Sequence, residues 1–158
     1  MVNIKCKMKD SYYFYILYFE FYMLNFDEIY MHRCLALAKL GAGYVAPNPM
    51  VGAVLVNNGK IIGEGYHEKF GKAHAEVNCI HRAAQNGLMD LISQSTLYVS
   101  LEPCAHFGKT PPCTDLIIQN KIPKVIIGCR DPFNVVNGNG IETLKATGVE
   151  VDAGILEK

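Results

Sequence analysis

The chain has 158 residues, of which 50% are hydrophobic and 19% are charged. This length fits one ordinary domain, and the composition predicts a packed core and excludes a chain that is disordered throughout. Fifteen basic residues balance fifteen acidic ones. The net charge of zero argues against a general polycationic nucleic-acid binder, although it leaves room for a local basic patch.

The first 23 residues differ in composition from the rest of the chain. Of the nine Tyr and seven Phe residues, eight lie between Tyr12 and Tyr22, after a lysine-rich start. The order resembles a signal peptide, but the run is built mainly from Tyr and Phe and no small-residue cleavage site follows. It is also shorter than the roughly 20 apolar residues that cross a bilayer. We expect residues 1–23 to be an atypical extension outside the fold, or upstream of a start at Met23, rather than a membrane or targeting segment.

The next part of the chain predicts a helix followed by a β-hairpin. Asp27 can cap the helix and Gly41 can end it. Residues 51–56 form a β-rich run, Asn58-Gly59 is a strong two-residue turn, and residues 60–66 form the returning strand. The apolar residues predicted to face the core from the helix, at spacings of four and three, are Met31, Leu35 and Ala38.

The remainder alternates between helix and strand, with glycine or proline near many of the boundaries. This order predicts an α/β fold in which a mixed sheet carries helices on both faces of a single domain. The predicted helices cover about residues 73–85, 113–119 and 141–146, and the predicted strands cover residues 96–101, 125–129 and 149–151.

Three residues form a candidate metal site. His74 stands at the start of a predicted helix, Cys104 follows a strand, and Cys113 begins the next helix. One imidazole and two thiolates suit zinc, and three protein ligands leave the fourth position open for chemistry. Glu76, in the first helical turn, can lean over that position and transfer protons. The helix start is also expected to lower the pKa of the Cys113 thiol.

The zinc deaminase pattern is His-x-Glu followed by Pro-Cys-x-x-Cys, whereas eight residues separate the two cysteines here. A structural zinc site, with His106 or His81 as fourth ligand, is one alternative. A disulfide between Cys104 and Cys113 is another. The three cysteines predicted to be core residues are Cys34, Cys79 and Cys129.

Four stretches of sequence carry a resemblance to a known family. Over about residues 24–158 the chain resembles the deaminase domain of the bifunctional riboflavin-biosynthesis deaminase and reductase, in the cytidine deaminase-like superfamily. The resemblance implies a three-layer α/β/α fold with a mixed sheet of about five strands, and it accounts for the long cysteine spacing. The four stretches are Asn48–Ala53, Gly63–His67, Gly71–Glu76 and Leu101–Cys113.

The resemblance also implies an activity. The expected reaction is zinc-dependent hydrolytic deamination of 2,5-diamino-6-ribosylamino-4(3H)-pyrimidinone 5′-phosphate in riboflavin biosynthesis. Ammonia and 5-amino-6-ribosylamino-uracil 5′-phosphate are the products. One zinc per chain would be held by His74, Cys104 and Cys113, with Glu76 as the catalytic proton carrier.

Six substrate-binding residues are also implied by the resemblance. The first would hydrogen-bond the pyrimidine and the second would line the pocket. Three in the loop between the cysteines would receive the ribose phosphate, and one would bind a ribose hydroxyl. The alternatives for the first two are an Asn-Pro turn and a surface histidine at the end of a strand. In that order the six are Asn48 and His67, then His106, Lys109 and Thr110, then Asp131.

The chain departs from the family in two places. Phe133-Asn134 follows Asp131-Pro132 where the family commonly continues Asn-Pro, so Asn134 would have to substitute from one position later. No Gly-rich dinucleotide loop follows, and we expect the reductase domain to be absent and a separate reductase to be possible.

The expected partner is a small phosphorylated aminopyrimidine, with neither a nucleic acid nor a membrane involved. We expect a cytoplasmic homo-oligomer. A nucleoside or tRNA base deaminase is the alternative enzyme, and a non-catalytic module with the deaminase fold is the alternative outside enzymes.

Overall fold

The computed structural model describes residues 26–108, 111–132 and 138–156. The predictions for residues 1–23 and for Phe133-Asn134 lie outside these ranges. Within them, none of the helices is both long and apolar enough to cross a bilayer.

A five-stranded mixed sheet forms the centre of the fold, in the order β2-β1-β3-β4-β5. β1 is antiparallel to β2 and to β3, whereas β3, β4 and β5 are parallel to one another. A tight turn suffices for the antiparallel β1–β2 pair, and the parallel pairs require helical crossovers. The strands are β1 (Gly52–Asn57), β2 (Lys60–Tyr66), β3 (Thr96–Leu101), β4 (Lys124–Cys129) and β5 (Glu150–Ala153).

Five α-helices are described, and most lie where the sequence predicts them. The four-residue α3 was not predicted, because one turn carries no helical period. α2 begins two residues later than expected, so that His74 is its N-cap residue. The helices are α1 (residues 26–38, continued by the 3-10 turn Lys39–Gly41), α2 (Ala75–Gln85), α3 (Met89–Ile92), α4 (Cys113–Gln119) and α5 (Asn139–Ala146).

Helices cover both faces of the sheet. In β1, Val54 and Val56 pack with α1, whereas Ala53 and Leu55 pack with the core that includes α2, α4 and α5. Alternate residues of a strand point to opposite faces, so one strand contributes to both cores. The predicted three-layer α/β/α fold with a mixed sheet is therefore confirmed.

Two details of α1 differ from the prediction. Asp27 is not the N-cap, because the helix already includes Phe26, and its carboxylate accepts a hydrogen bond of 2.6 Å from the Tyr98 hydroxyl. Leu35 is 39% exposed, and Cys34 is fully buried in its place. Met31 and Ala38 are buried as predicted, so the apolar spacing identified the helix and two of its three core residues.

The close approach of α2 to β2 positions the start of α2. Gly65 lies so near this helix that an added Cβ would be 2.4 Å from Cys79 N and 2.5 Å from Ala75 O. Only a residue without a side chain fits at that distance. At the far end of β2, Asn58 and Gly59 both have positive φ, as the predicted two-residue hairpin turn requires.

Candidate metal centre and active site

The three predicted metal ligands converge although they come from three elements. His74 is the N-cap residue of α2, Cys104 lies three residues beyond β3, and Cys113 opens α4. His74 Nδ1 is 3.6 Å from Cys104 Sγ and 3.4 Å from Cys113 Sγ. All three ligand atoms lie within 4.8 Å of one another.

These separations fit a tetrahedral zinc ion. With Zn–S of about 2.3 Å and Zn–N of about 2.0–2.1 Å, the nitrogen and sulfur corners of a tetrahedron are about 3.6 Å apart. The observed distances of 3.4 and 3.6 Å match that edge. Within the described residues, this group contains no fourth His, Cys, Asp or Glu ligand. His81 and His106, the candidate fourth ligands, are both exposed.

The two thiols are free and do not form a disulfide. The pKa of the Cys104 thiol is lowered to about 4, chiefly by a hydrogen bond from Cys113 and also by one from His74. The pKa of Cys113 is raised because its proton is shared with Cys104 and because it is buried. A divalent cation that binds this pair would displace the thiol protons and take the place of their hydrogen bond.

The effect of the α4 helix start differs from the prediction. The backbone N–H of Cys113 points to Cys104 Sγ at 3.4 Å. The positive end of this helix therefore stabilises the thiolate of Cys104 rather than that of Cys113.

Of the other cysteines, Cys34 and Cys79 are fully buried, as predicted for core residues, whereas Cys129 is only half-buried at the end of β4. Burial raises the pKa of Cys34 to about 12, so this thiol is inert.

Glu76 is buried beside the ligands, with 3% of its surface exposed. His74 has extended backbone angles (φ −74°, ψ 169°), so helical spacing does not govern the relation between the two side chains. Burial raises the pKa of the Glu76 carboxyl, and the carboxyl also interacts with Cys113. A carboxyl with a raised pKa can both accept and return a proton nearer to neutral pH.

A cavity of about 510 Å³ opens over Glu76 and the ligands His74 and Cys104. Its volume lies in the range of small-molecule sites. Lys109 and Thr110 lie outside the described residues, and their roles stay predictions. The other four predicted substrate-binding residues line the cavity: Asn48, His67, His106 and Asp131.

Asn48 and His67 form a connected pair. His67 Nδ1 is 3.0 Å from the Ala73 carbonyl, which can only accept, so Nδ1 carries the proton. Its Nε2 is then an acceptor for Asn48 Nδ2 at 3.3 Å. His67 is 3% exposed and lies edge-on to His74, with ring centroids 5.3 Å apart. The alternative of a surface histidine is therefore wrong, and the amide oxygen is the acceptor that Asn48 can offer to a ligand.

Two charged lining residues had no predicted role. Lys72 is the only Lys or Arg among the described residues that line the cavity, and sequence patterns do not distinguish it from a solvated surface lysine. Glu102 is a buried acid directly after β3, with 4% of its surface exposed. Its position beside Pro103-Cys104 was the available signal, because a carboxylate after a buried strand needs partners.

Comparison with known proteins identifies the domain. Residues 24–129 match the zinc-binding region of cytidine and deoxycytidylate deaminases. The chain belongs to this family. The deaminase domain is 50% identical over 132 residues to the riboflavin biosynthesis protein RibD of Aquifex aeolicus, covering 84% of this chain and 36% of that protein. It is 47% identical to a diaminohydroxyphosphoribosylamino-pyrimidine deaminase of Buchnera aphidicola from Schizaphis graminum, covering 84% of this chain and 86% of that protein.

Solved structures agree with this assignment. The deaminase domain is 52% identical to a Thermotoga maritima diaminohydroxyphosphoribosylaminopyrimidine deaminase/5-amino-6-(5-phosphoribosylamino)uracil reductase, with a TM-score of 0.79 over 85% of this chain and 38% of that one. It is 26% identical to the Aspergillus oryzae Rib2 deaminase in complex with DARIPP, with a TM-score of 0.66 over 81% and 83% of the two chains. The chain spans about a third of the length of the RibD relatives.

Proposed function

We propose that this deaminase domain hydrolyses the 2-amino group of 2,5-diamino-6-ribosylamino-4(3H)-pyrimidinone 5′-phosphate, the substrate named from the sequence resemblance. The observation that carries the proposal is the cluster of His74, Cys104 and Cys113 beside a cavity of about 510 Å³, which His74, Cys104 and the buried Glu76 line. The names of the RibD and diaminohydroxyphosphoribosylamino-pyrimidine deaminase relatives support the choice of substrate.

A zinc ion held by His74, Cys104 and Cys113 would supply Lewis acidity and lower the pKa of a water molecule toward about 7. Glu76 accepts one proton of the attacking water and delivers it to a ring nitrogen, and it then takes the remaining hydroxyl proton and delivers it to the departing amine. The water oxygen forms a bond to the ring carbon, the C–N bond breaks, and ammonia leaves. The burial that raises the pKa of Glu76 suits a group that must take up and release a proton in each turnover.

The neighbouring residues orient the substrate in this proposal. Asn48, held by His67, presents its amide oxygen to a ring N–H. His106 and Asp131 line the cavity on the side where the ribose phosphate would lie. Lys109 and Thr110 are proposed as phosphate ligands on the sequence resemblance alone.

We also infer the setting of the reaction. Residues 24–158 are placed in the deaminase domain, supported by the family match that begins at residue 24, and residues 1–23 are placed outside it. The proposed setting is the cytoplasm, with the domain acting as a homo-oligomer whose product is taken up by a reductase. The Thermotoga maritima protein, whose name pairs the two activities, supports the link to a reductase.

The decisive experiment measures ammonia release from the diaminopyrimidinone phosphate by zinc-loaded protein, with cytidine and tRNA as comparison substrates. The Glu76→Gln variant should retain zinc and thermal stability but lose activity by at least about 100-fold, since general acid–base catalysis contributes about 10²–10⁴-fold. Glu142→Gln is the matched control, because Glu142 is exposed in the first turn of α5.

Two results would contradict the proposal. Full activity of Glu76→Gln would remove Glu76 from the mechanism. Ammonia release from cytidine or tRNA, and none from the pyrimidinone phosphate, would assign the domain to the alternative class of base deaminases.

A further inference from the structure

The buried carboxylate of Glu102 is surrounded by backbone N–H groups from a distant part of the chain. Its Oε1 accepts hydrogen bonds from Gly140 N at 2.9 Å and Ile141 N at 3.3 Å. Its Oε2 accepts from Gly138 N at 3.0 Å and Asp131 N at 3.4 Å. Both oxygens are therefore occupied by donors.

This environment separates Glu102 from the other buried acid of the site. Among the described residues, four backbone N–H groups donate hydrogen bonds to the Glu102 carboxylate and take the place of water around it. The Glu76 carboxyl, in contrast, has its pKa raised by burial. Glu102 consequently has no oxygen to spare for moving protons, although it lines the same cavity.

A close backbone contact lies beside this hydrogen-bond network. An added Cβ on Gly140 would be 2.1 Å from the carbonyl oxygen of Pro103, so the first turn of α5 rests directly on the peptide that precedes Cys104. On another side, the carbonyl of Cys104 accepts a hydrogen bond of 3.2 Å from Thr114 N in α4. The segment from Glu102 to Cys104 is thus held by both helices.

The network also reaches a second wall of the cavity. Asp131, a lining residue, donates its backbone N–H to Glu102, and the backbone N–H of Glu102 binds the Cys129 carbonyl at 3.0 Å. Only Pro103 separates Glu102 from the proposed ligand Cys104 in the sequence. One carboxylate therefore connects the metal-ligand loop to the wall that carries Asp131.

We propose that Glu102 is a positioning residue that aligns the zinc ligand Cys104 with the Asp131 wall of the substrate cavity. The inference that Glu102 positions Cys104 for zinc depends only on the geometry of the chain. The inference that it positions the Asp131 wall for the substrate rests on the proposed function.

Glu102→Gln tests the proposal because it keeps the shape of the side chain. The amide replaces one accepting oxygen with an NH₂ group that faces N–H donors and binds none of them. Zinc affinity, measured by competition with a chromogenic chelator, should fall by about 10–100-fold, the usual effect of losing a group that supports a metal ligand. With zinc saturating, KM for the pyrimidinone phosphate should rise by a larger factor than kcat falls.

Glu142→Gln again serves as the matched control. Glu142 is an exposed acid in the first turn of α5. Its replacement also removes one negative charge near the start of this helix, so it reports the effect of that charge alone. Glu102→Asp, which keeps the carboxylate on a shorter side chain, should recover part of the zinc affinity. The expected order of zinc affinity is wild type, then Glu102→Asp, then Glu102→Gln. If Glu102 only stabilised the fold, the variants would lower the melting temperature but would not show this order.

Wild-type zinc affinity and KM in Glu102→Gln, or an equal loss in Glu142→Gln, would overturn the proposal. If Glu102→Gln does not fold, Gly140→Ala perturbs the same contact from the α5 side. Its zinc affinity should fall, and unchanged affinity would also overturn the proposal. If the wild-type protein releases no ammonia from this substrate, the proposed function fails while the chelator measurement still decides the positioning role.

Discussion

Replacing Gly65 with alanine tests whether the close approach of β2 to α2 holds the metal site together. Gly65 is buried and its backbone φ is not in the left-handed region, so alanine introduces no backbone strain of its own. The added methyl group would meet Cys79 N and Ala75 O, both of which belong to the backbone of α2.

The size of the effect follows from the distances. Ordinary contact of a Cβ begins at 3.4 Å, and the two atoms would lie at 2.4 and 2.5 Å, so strand and helix must separate by about 1 Å. Overpacking of this kind costs about 1–3 kcal/mol, while alanine recovers about 0.4–1 kcal/mol through the smaller entropy of the unfolded chain. We expect a net loss of about 1–2 kcal/mol, and a melting temperature lower by about 2–8 °C.

Gly63→Ala is the matched control within the same strand. An added Cβ there would be 2.5 Å from Cys79 O and 3.0 Å from the Ala83 Cβ, which lie farther from His74 along α2. Both variants should lose similar stability. Because Gly65 faces the first turn of the helix, its replacement should also displace His74 and Glu76, and lower zinc affinity by about tenfold or more.

Thermal denaturation by circular dichroism and zinc competition with a chelator measure the two effects on the same samples. If Gly65→Ala had wild-type stability, the claim that α2 cannot move away from β2 without loss of stability would be refuted. Equal zinc affinities in the two variants, despite the loss of stability, would refute the claim that the contact positions the ligands.

Two further substitutions test how α1 is attached to the sheet. Tyr98→Phe removes the 2.6 Å hydrogen bond to the Asp27 carboxylate and should cost about 1–2 kcal/mol in urea denaturation; an unchanged midpoint would contradict this. A hydrogen bond from Arg33 lowers the pKa of Glu64 in the folded state. The pair therefore contributes its full stabilisation when the pH is above the pKa of Glu64 in the unfolded chain, and this contribution is lost as the pH falls through the pKa of the folded state. Glu64→Gln should therefore cost about 0.5 kcal/mol at neutral pH, and the difference from wild type should shrink below about pH 4; a constant difference would exclude the ion pair as its source.

Local patterns in the sequence were sufficient for most of the fold. The β-rich run of β1, the turn at Asn58-Gly59 and the proline before α4 depend on neighbouring residues only, so they predict the elements without a structure. The cluster of His74, Cys104 and Cys113 was also predictable, because these residues are chemically distinctive and lie at the ends of predicted elements.

Tertiary structure decided what depends on residues far apart in the chain. The burial of His67 beside His74, the bond from Tyr98 to Asp27, and the partners of Glu102 join segments that no local pattern relates. The same holds for the thiolate of Cys104, which the start of α4 stabilises across a loop. The residue types alone identified the groups of the proposed site, whereas folding set their burial and alignment, because both depend on contacts and hydrogen bonds between distant segments.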